Sequence, residues 1–472
     1  MTTAIFREIY YQDPLYYLEN LQDQENLVFL DSCLFNSNYG RYSYIMFAPF
    51  ATLSAQDGMA YYAGKTLQID PFTILQQLYG QFSQQIITAI PPFQGGIAGY
   101  WSYDLARSLE SLPSIAAQDN SFADMALGFY DLVVSFDHLK KRAYAVSSGF
   151  PEHDEKKNDK RATARLHWLL TKISAAKNSK IITKPLLDAS SIKSDFSYKE
   201  YIASVNKIKQ YIIAGDVFEV NLAQRFSAKV KPNFEPFQLY KRLRYCNSAP
   251  FSAFIKIANC HILSSSPERF VKLQNHMLET RPIKGTIAAH HDVTLDLQAQ
   301  QQLLKSKKDQ AENNMIVDLM RNDFSKIAEP HSVTVPQLCG LETYATLHQL
   351  VSVVTAKLKQ QYNAVDVLKA CFPGGSITGA PKIRAMEIIE ELEFMRRGPY
   401  CGSAGYVGFN GTMDTSILIR SFFLQQQQLS WYAGGAIILD SDPDAEYQES
   451  MLKQQALRDA LCKNLSQSTS CT

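Results

Sequence analysis

Hydrophobic residues recur along this chain with spacings that predict both helices and strands. From Tyr198 to Ala214 the apolar positions have helical spacing, at Tyr201, Ile202, Val205, Ile208, Ile212 and Ile213. A glycine follows at position 215, and glycine readily adopts the backbone conformation that ends a helix. We therefore predict a helix over Tyr198–Ala214 that is capped by Gly215.

Short segments rich in β-branched and aromatic residues predict strands early in the chain. These segments are residues 27–30, 46–47, 130–136 and 144–147, and Gly95, Gly96 and Gly99 indicate tight backbone geometry. Later, residues 415–424 and 429–439 predict two more strands. The glutamines at 425–428 lie between them, so we interpret this tract as a hairpin connection rather than an aggregation-prone polar segment.

The most polar segment, residues 151–160, predicts a linker. We expect a short helix after it, around Leu166 and Trp168, and then a loose stretch at 175–195. The chain is therefore divided in this zone into an N-terminal β-rich region, residues 1–150, and a C-terminal region, residues 190–465.

The charge balance excludes some classes of protein. The 472 residues include 47 Lys and Arg and 46 Asp and Glu, which gives a formal net charge of +1. Without an excess of basic residues, the chain lacks the electrostatic footprint of a nucleic-acid-binding protein. Its 26 Phe and 25 Tyr provide ample apolar surface for a core, so disorder is not expected.

The distribution of polar residues also argues against export and membrane insertion. Arg7, Glu8, Asp13 and Glu19 interrupt the N-terminal segment, so it has no apolar signal-peptide core. No stretch approaches the ~18 uninterrupted apolar residues of a membrane span. The eight cysteines form no CxxC pair and are expected to be free, mostly buried thiols. We expect a cytoplasmic protein without a membrane partner.

Two segments imitate ligand-binding motifs but have the wrong spacing. In residues 372–382, FPGGSITGAPK, two residues separate Gly379 from Lys382, whereas a P-loop needs the lysine directly after the glycine. Backbone N–H groups of this glycine-rich segment could still hold an anion. In residues 440–451, Ala445 stands where an EF-hand needs glycine, so a calcium loop is rejected.

Two side chains stand in constrained surroundings. Glu268 follows a proline in SSPERF, where it is either a solvated turn carboxylate or a positioned acid. Lys284 lies in RPIKGT, on a segment stiffened by Pro282. Most lysines are solvated surface groups. A nucleophilic lysine would need its pKa lowered from about 10.4, by burial or by a neighbouring cation such as Arg281.

Two predicted helices carry charged groups on one face. These groups are Asp309 and Glu312 in the first helix, residues 308–323, and Glu446, Glu449 and Lys453 in the second, residues 444–453. Such faces are usually solvated, and Glu449 with Lys453 is an ordinary stabilising pair. If the two helices converge, their carboxylates could hold Mg²⁺, which takes one or two protein carboxylates and completes its shell with water and substrate oxygens.

Many long motifs, in order, resemble the chorismate-utilising enzymes, most closely the aminodeoxychorismate synthases. In the first region they are PFQGGIAGYWSYDLAR at 92–107 and FYDLVVSFDH at 129–138. In the second they are NLAQRF, NSAPFSAFI, SPERF, RPIKGT, AENNMIVDLMRND, CFPGGSITGAPK and AGGAIILDSDPDAEYQES. The resemblance covers nearly the whole chain. It implies an α+β fold, a large antiparallel β-sandwich with helices packed outside, in which the two regions intertwine as one structural unit.

The resemblance implies roles for individual side chains. Lys284 stands where these synthases carry lysine and anthranilate synthases carry alanine, and it is expected to attack C2 of chorismate. Glu268 matches the general acid that protonates the departing C4 hydroxyl. Arg420 and Tyr400 are expected to clamp the enolpyruvyl carboxylate. All the substrate-contacting positions implied are Thr286, His348, Ser376, Thr378, Tyr400, Arg420, Gly434, Gly435 and Lys453.

Mg²⁺ is the cofactor that the resemblance implies. Glu312 and Glu449 match its ligands, and Asp309 and Glu446 match outer or water-mediated partners. The metal is expected to bind the ring carboxylate of chorismate and neutralise its charge.

One position departs from the family pattern. Glu219 stands where the usual segment, Q-V-N-L, has glutamine. Isochorismate and salicylate synthases carry a lysine there, as a base that activates water, so chemistry directed at water loses support. The sequence leaves open whether Glu219 merely replaces glutamine or changes the charge of the site.

The family also has a tryptophan pocket in its N-terminal part. Leu30-Asp31-Ser32 resembles the usual LLES segment, and the pocket positions implied are Ser32, Tyr39, Pro250 and Phe251. Ordinary core packing is the alternative interpretation of these residues.

The reaction implied is amination of chorismate at C4 with ammonia, which gives 4-amino-4-deoxychorismate for p-aminobenzoate and folate synthesis. No glutaminase-type cysteine motif is found, so ammonia should come from a separate glutamine amidotransferase subunit or from free ammonium. The rival enzyme is anthranilate synthase component I, which aminates C2 and eliminates pyruvate. The rival from another class is a catalytically idle subunit that binds tryptophan and a glutaminase.

Overall fold

The computed structural model describes residues 2–34, 39–119, 121–174, 180–290, 292–343 and 347–465. In chain order its strands are β1 (Thr2–Thr3), β2 (Ile5–Ile9), β3 (Leu27–Asp31), β4 (Tyr42–Met46), β5 (Ala51–Gln56), β6 (Met59–Tyr62), β7 (Lys65–Leu67), β8 (Gln84–Gln85), β9 (Gly96–Trp101), β10 (Met125–Tyr130), β11 (Leu132–Asp137), β12 (Arg142–Ser147), β13 (Lys193–Ser194), β14 (Glu219–Lys229), β15 (Phe251–Ile257), β16 (Cys260–Ser266), β17 (Arg269–Gln274), β18 (Met277–Thr280), β19 (Ile283–Ala288), β20 (Thr334–Thr343), β21 (Leu347–Lys357), β22 (Gly379–Ala380), β23 (Ser403–Gly408), β24 (Met413–Ile417), β25 (Ser421–Gln425) and β26 (Gln428–Ile437).

The helices in the same ranges are α1 (Pro14–Leu18), α2 (Pro71–Tyr79), α3 (Glu155–Ile173), α4 (Tyr198–Ala214), α5 (Pro236–Cys246), α6 (Val293–Lys305), α7 (Lys307–Ser325), α8 (Ala364–Cys371), α9 (Lys382–Leu392), α10 (Pro443–Lys453) and α11 (Gln455–Cys462). Short 3₁₀ turns lie at Tyr103–Ser108, Ala189–Ser191 and Gly375–Ile377.

Two antiparallel sheets of 12 strands each dominate the fold. The first, called the β19 sheet, runs β19-β21-β18-β17-β24-β23-β9-β10-β5-β6-β7, with β20 beside β21. The second, called the β14 sheet, runs β13-β14-β26-β25-β16-β15-β3-β4-β11-β12-β2, with β22 beside β14. Each sheet combines strands from both regions of the chain, since β9 pairs with β23 and β3 pairs with β15. The α+β class that the resemblance implies, with antiparallel sheets and helices, is confirmed.

Strand β3 shows how the sandwich is filled. Val28 packs in a cluster to which both sheets contribute, whereas Leu27 and Phe29 point to the opposite face. On that face, helices α3, α5 and α11 cover the β14 sheet. Because both faces of the strand are buried, its sequence is a continuous apolar run rather than an alternating one.

Helix α4 matches the sequence prediction at both ends. Ser197 and Glu200 form a capping box at its start, and Gly215 ends it with φ +84°. The hairpin predicted at 425–428 is also confirmed, because Gln426 and Gln427 turn the chain between β25 and β26 with φ +48° and +67°.

Two segments predicted as single strands are wrong, because each spans a crossing between the sheets. In residues 130–136, β10 belongs to the β19 sheet and β11 to the β14 sheet, with the buried Asp131 between them. In residues 415–424, β24 and β25 likewise belong to different sheets, and Arg420 lies between them with φ +52°. Apolar residues continue through each crossing, so the sequence pattern does not reveal the break.

The linker predicted at 151–160 is wrong in its second half. Helix α3 begins at Glu155, where the side chain of Asp154 accepts a hydrogen bond from the Lys157 N–H at 3.0 Å. The charged residues are the solvent face of this helix, whose opposite face packs on β12 through buried residues such as Leu169. High polarity therefore indicated an amphipathic helix start and not an extended connection.

Among the described helices, none is long and apolar enough to cross a membrane. The seven cysteines within the described ranges are free thiols, of which Cys260, Cys371 and Cys401 are buried and the other four half-buried. Cys471 lies outside those ranges.

Candidate active site

A cavity of about 790 Å³ opens between the two sheets. Strands β14 and β26 form one wall, β19 and β21 the other, and helices α7 and α10 contribute side chains at its edge. The volume is in the range of small-molecule sites. The predicted site residues that line it are Glu268, Lys284, Thr286, Asp309, Glu312, Ser376, Tyr400, Arg420, Gly434, Gly435, Glu449 and Lys453.

A bulge in β19 directs Lys284 into this cavity. The pairing of β19 with β21 slips between Ile283 and Thr286, and Gly285 takes φ +81°. A bulge of this kind re-aims a side chain out of the regular alternation. The Nζ of Lys284 lies 2.9 Å from Oε1 of Glu219, the first residue of β14, so an ion pair joins the two sheets.

The pKa of Lys284 is raised, which contradicts the prediction of a lowered value. Burial lowers this pKa, but the carboxylates of Glu219 at 2.9 Å and Glu312 at 3.9 Å outweigh burial. Arg281, the cation proposed to lower it, is instead paired with Glu342. The ammonium form is therefore favoured in this arrangement.

Glu268 is a buried acid and not a solvated turn residue. It lies between β16 and β17, where the chain crosses from one sheet to the other, and it is 6% exposed. Its Oε1 accepts a hydrogen bond from the Ser376 hydroxyl at 2.6 Å. Burial raises the pKa of Glu268 to about 7, although Ser376 and Lys284 act in the opposite direction. A carboxyl group of this kind can donate a proton near neutral pH.

Arg420 brings a guanidinium without a protein counter-charge to the cavity. Burial lowers its pKa, and Tyr400 and Glu449 only partly offset this effect. In the part of the chain that the structure describes, the guanidinium has no hydrogen-bond or ion-pair partner. The neighbouring Tyr400 is stacked on Tyr432, with ring centroids 4.6 Å apart and an angle of 6° between the rings. An anionic ligand would compensate the charge of Arg420.

Four carboxylates from α7 and α10 form a group that we call the acidic rim, namely Asp309, Glu312, Glu446 and Glu449. Lys308 links the two helices, since its Nζ lies 2.8 Å from Glu446 Oε1 and 3.9 Å from Glu312 Oε1. Within the described ranges, no three His, Cys, Asp or Glu side chains converge as a ready-made metal cluster. Among the described residues of the rim, no more than two carboxylates therefore lie close enough together to share a metal ion.

Glu312 and Glu449, two of the three rim carboxylates that line the cavity, have pKa values shifted in opposite directions. Burial raises the pKa of Glu312 to about 7, and its buried Oε1 has no hydrogen-bond partner among the described residues. The pKa of Glu449 is lowered, because Lys453 at 2.6 Å outweighs the effect of burial. Gly435 lies beside two of the rim carboxylates: a Cβ there would lie 3.4 Å from Glu446 Oε2 and 3.6 Å from Glu449 Oε1.

Comparison with known proteins decides the family. The family of chorismate binding enzymes matches residues 30–459 of this chain. The chain belongs to the chorismate binding enzymes. The resemblance drawn from its motifs is thereby confirmed.

Relatives within the family are similar over most of their length. Aminodeoxychorismate synthase component 1 of Salmonella typhimurium is 45% identical over 77% of this chain and 76% of that protein. The protein of the same name from Escherichia coli is 39% identical over 96% of this chain and 97% of its own. The crystal structure of anthranilate synthase component I from Streptococcus pneumoniae has a TM-score of 0.79 at 29% identity, covering 96% of this chain and 99% of that chain.

Not every position carried over from the chorismate binding enzymes lines the cavity. His348 is fully buried on β21 and faces helix α6, where its ring nitrogens contact Asp296 at 2.8 Å and Thr343 at 2.9 Å. Its neighbour Gln349 lines the cavity instead and donates to the Thr286 hydroxyl at 3.4 Å. Successive strand residues point to opposite faces, so a shift of one position exchanges the two roles.

Two other predicted positions lie behind the cavity wall. The hydroxyl of Thr378 donates to the carbonyls of Gly374 and Gly375 at 3.1 and 3.2 Å, so it stabilises the glycine-rich turn rather than facing the cavity. Glu446 is held by Ser441 at 2.7 Å and by Lys308. Thr378 therefore positions the turn that carries Ser376, and Glu446 positions Lys308.

The predicted tryptophan-pocket residues are brought together only in part. The hydroxyl of Ser32 donates to the carbonyl of Pro250 at 3.0 Å. Tyr39 donates to Glu342 at 3.0 Å, and the ring of Phe251 packs against the guanidinium of Arg269. Binding of tryptophan by these residues stays a prediction.

Three residues of the site escaped the sequence analysis or were left without a role. The sequence does not predict Gln349, because an apolar run does not show which residues of β21 face the cavity. The sequence does not predict a role for Lys308, because its partner at 2.8 Å, Glu446, lies on a helix far along the chain. Glu219 was noted as a departure from the family, but its contact with Lys284 depends on the packing of two sheets.

The roles of the two β21 neighbours can be separated by matched substitutions. We expect Gln349→Leu to raise KM for chorismate by about 2–10-fold, the effect of one lost hydrogen bond, without changing stability. His348→Leu should leave KM unchanged and lower the free energy of unfolding by about 1–3 kcal/mol, because the hydrogen bonds of the buried imidazole with Asp296 and Thr343 are lost. Steady-state kinetics and denaturant titration check both. A larger KM effect from His348→Leu would contradict this assignment.

Proposed function

We propose that this protein aminates chorismate at C4 with ammonia to give 4-amino-4-deoxychorismate, as a cytoplasmic enzyme of the folate branch. The observation that carries the proposal is a buried lysine amine, that of Lys284, in the wall of the family's cavity. The buried acid Glu268 also lines this cavity and interacts electrostatically with Lys284. The names of the two similar synthases support the same reaction.

The proposed chemistry exchanges a hydroxyl group for an amino group in two displacements. The neutral amine of Lys284 forms a bond to C2, the ring double bonds shift, and the C4–O bond breaks. Glu268 supplies the proton with which the hydroxyl leaves as water. Ammonia then bonds to C4, the double bonds shift back, and the C2–Nζ bond breaks. The proton lost by the incoming ammonia returns to Glu268, so the enzyme is regenerated.

Arg420 supports a doubly carboxylated substrate. Its guanidinium can form two parallel hydrogen bonds to a carboxylate, the geometry that arginine provides best. Tyr400 and the backbone N–H groups near Gly434 and Gly435 lie in the same wall and complete this end of the site. The acidic rim borders Gly435, and its carboxylates would repel a substrate carboxylate unless a cation intervenes.

The acidic rim fits a magnesium ion better than a structural metal. Mg²⁺ is held by one or two carboxylates, with water and substrate oxygens in the other positions. Glu312 and Glu449 would supply those carboxylates, since both line the cavity and the buried Oε1 of Glu312 has no hydrogen-bond partner in the described ranges. When bound, the ion would neutralise the charge of a substrate carboxylate. Asp309 and Glu446 would act through water or neighbouring side chains.

The metal proposal predicts a loss of Mg²⁺ affinity in Glu449→Gln. We expect the dissociation constant to rise by at least about tenfold, since even changes to groups that only hydrogen-bond to a metal ligand have effects of that size. Calorimetric titration of the substrate-free protein measures it directly. Asp444→Asn removes one negative charge from the exposed side of the same helix and serves as the control. Equal affinities of Glu449→Gln and the unaltered protein would remove Glu449 from the site.

The source of ammonia follows from the same proposal. Both similar synthases are named component 1, which supports a partner component for this chain. We infer that the partner is a glutamine amidotransferase that releases ammonia into the cavity. Free ammonium should replace it in solution.

Product identification with ammonium alone tests the proposed function. The protein is incubated with chorismate, Mg²⁺ and ammonium, and a lyase is added to one half of the sample. We expect p-aminobenzoate only after the lyase. Direct appearance of fluorescent anthranilate would favour the rival enzyme, and absence of chorismate consumption would favour an idle binding subunit.

A further inference from the structure

Glu219 is a charged residue that the proposed mechanism does not use. It is fully buried at the start of β14 and does not line the cavity, whereas Lys284 does. Its Oε1 accepts a hydrogen bond from the amine of Lys284 at 2.9 Å. Glu219 thus lies behind the lysine, on the side away from the substrate.

The backbone around Glu219 is closed tightly, which fixes the position of this residue at the start of β14. Strand β22 pairs with β14 at this residue, and only glycine fits at position 379, because a Cβ there would lie 2.1 Å from the carbonyl oxygen of Glu219. The second carboxylate oxygen, Oε2, is buried and has no hydrogen-bond partner in the described part of the chain. Within that part of the chain, the only hydrogen bond of this carboxylate is therefore the one to Lys284.

Stability does not explain this arrangement. A buried ion pair with an unsatisfied oxygen is commonly neutral or unfavourable compared with apolar residues of similar volume. The side chain of Lys284 is also flexible, because four rotatable bonds separate its Nζ from Cα. A fixed acceptor behind the amine restricts those bonds.

We propose that Glu219 is a positioning residue, whose fixed oxygen holds the amine of Lys284 at the cavity wall. The proposal rests on the proposed function of Lys284 as the attacking group. One N–H directed backward at Glu219 leaves the rest of the nitrogen facing the substrate. Displacement of a reacting atom by about 1 Å can lower a rate by about 100-fold, so such an acceptor has a large effect on kcat.

Two substitutions separate the position of the acceptor from its charge. Glu219→Gln keeps an acceptor oxygen in the same place and removes the charge. Glu219→Asp keeps the charge but withdraws the oxygen by about 1.5 Å, one carbon–carbon bond. Glu390→Gln and Glu390→Asp are matched controls at another buried glutamate, which pairs with Arg107 and does not line the cavity.

We expect Glu219→Gln to keep kcat at no less than about one third of the value of the unaltered protein and Glu219→Asp to lower kcat at least tenfold, with KM changed less than threefold in both. Activity is followed as chorismate consumption at saturating ammonium and Mg²⁺, and denaturant titration confirms that each variant is folded. The Glu390 variants should leave kcat unchanged.

The reverse order, with the aspartate active and the glutamine impaired, would show that charge and not position matters, and it would overturn the inference. Equal activity of both variants, equal loss in both, or an effect on KM alone would do the same. Product identity, determined separately on the unaltered protein, tests the proposed function. A wrong product with the expected order of variants would refute that function and keep the positioning role.

Discussion

Lys284→Ala is expected to lower C4 amination by at least about 10³-fold, the order of loss that follows removal of an attacking group. The amine is the only part of the side chain that reacts, and Glu268 alone cannot open the C4–O bond by the proposed route. The measurement is kcat/KM from p-aminobenzoate formed after addition of the lyase. Lys272→Ala, on β17 of the same sheet and outside the cavity, should retain full activity.

The same substitution has a predictable effect on stability. Without the ammonium, the carboxylate of Glu219 stays buried without a partner, and breaking a buried pair in this way typically costs about 3–5 kcal/mol. We therefore expect a lower denaturation midpoint in Lys284→Ala. The double variant Lys284→Met with Glu219→Gln should recover much of the stability and none of the activity. Full para-amination by either variant would exclude Lys284 as the attacking group.

The raised pKa of Lys284 adds a requirement to this mechanism. Because Glu219 and Glu312 favour the ammonium form, the amine must lose a proton before it can attack. The neutral fraction of such a group increases with pH, so its contribution to the rate rises as the solution becomes more alkaline. This trend opposes the trend expected from Glu268, and the two together give a rate that is highest between their pKa values.

The sequence predicts the elements of this fold where local signals decide them. Helix α4 has its cap residues, its apolar spacing and its terminal glycine within the segment itself. The hairpin at Gln425 to Gln428 is decided by the strands on either side. The resemblance to the family further predicts twelve of the residues that line the cavity, among them Lys284 and Glu268.

The misassigned segments share a physical cause. Glu268 and Arg420 both lie where the chain passes from one sheet to the other, and the strand predicted over residues 415–424 concealed one of these crossings. At such a point the side chain leaves the regular alternation and faces the space between the sheets. An unbroken apolar sequence does not indicate a crossing, since both strands beside it are buried.

The position of His348 away from the cavity and the raised pKa of Lys284 have a different origin, since both depend on contacts distant in sequence. Which face of β21 borders the cavity is fixed by its pairing with β19 and by the bulge beside Lys284. The pKa of Lys284 is set by a carboxylate 65 positions away in sequence. Burial lowers the pKa of Lys284, but a counter-charge from a distant part of the sequence outweighs this effect.

Glu268→Gln is expected to lower kcat by about 10²–10⁴-fold, the usual contribution of general acid catalysis, because the amide cannot give the leaving hydroxyl a proton. Glutamine keeps the volume and can still accept the hydrogen bond of Ser376, so folding should be preserved. Activity with chorismate and ammonium measures the loss. A variant that retains most of its activity would assign the proton to another group.

The pH dependence of the unaltered protein gives a sharper test of the same acid. Burial raises the pKa of Glu268 to about 7, so the protonated, active form is present below that pH and is lost as the pH rises through it. We expect log(kcat/KM) of the unaltered protein to fall as the pH rises above about 7. This falling limb of the pH profile should be absent in Glu268→Gln. The hydrogen bond from Ser376 favours the ionised carboxylate, so Ser376→Ala should raise the pKa further and move the limb to higher pH. A shift to lower pH would contradict this assignment, because removing a donor to the carboxylate cannot make its ionised form more stable.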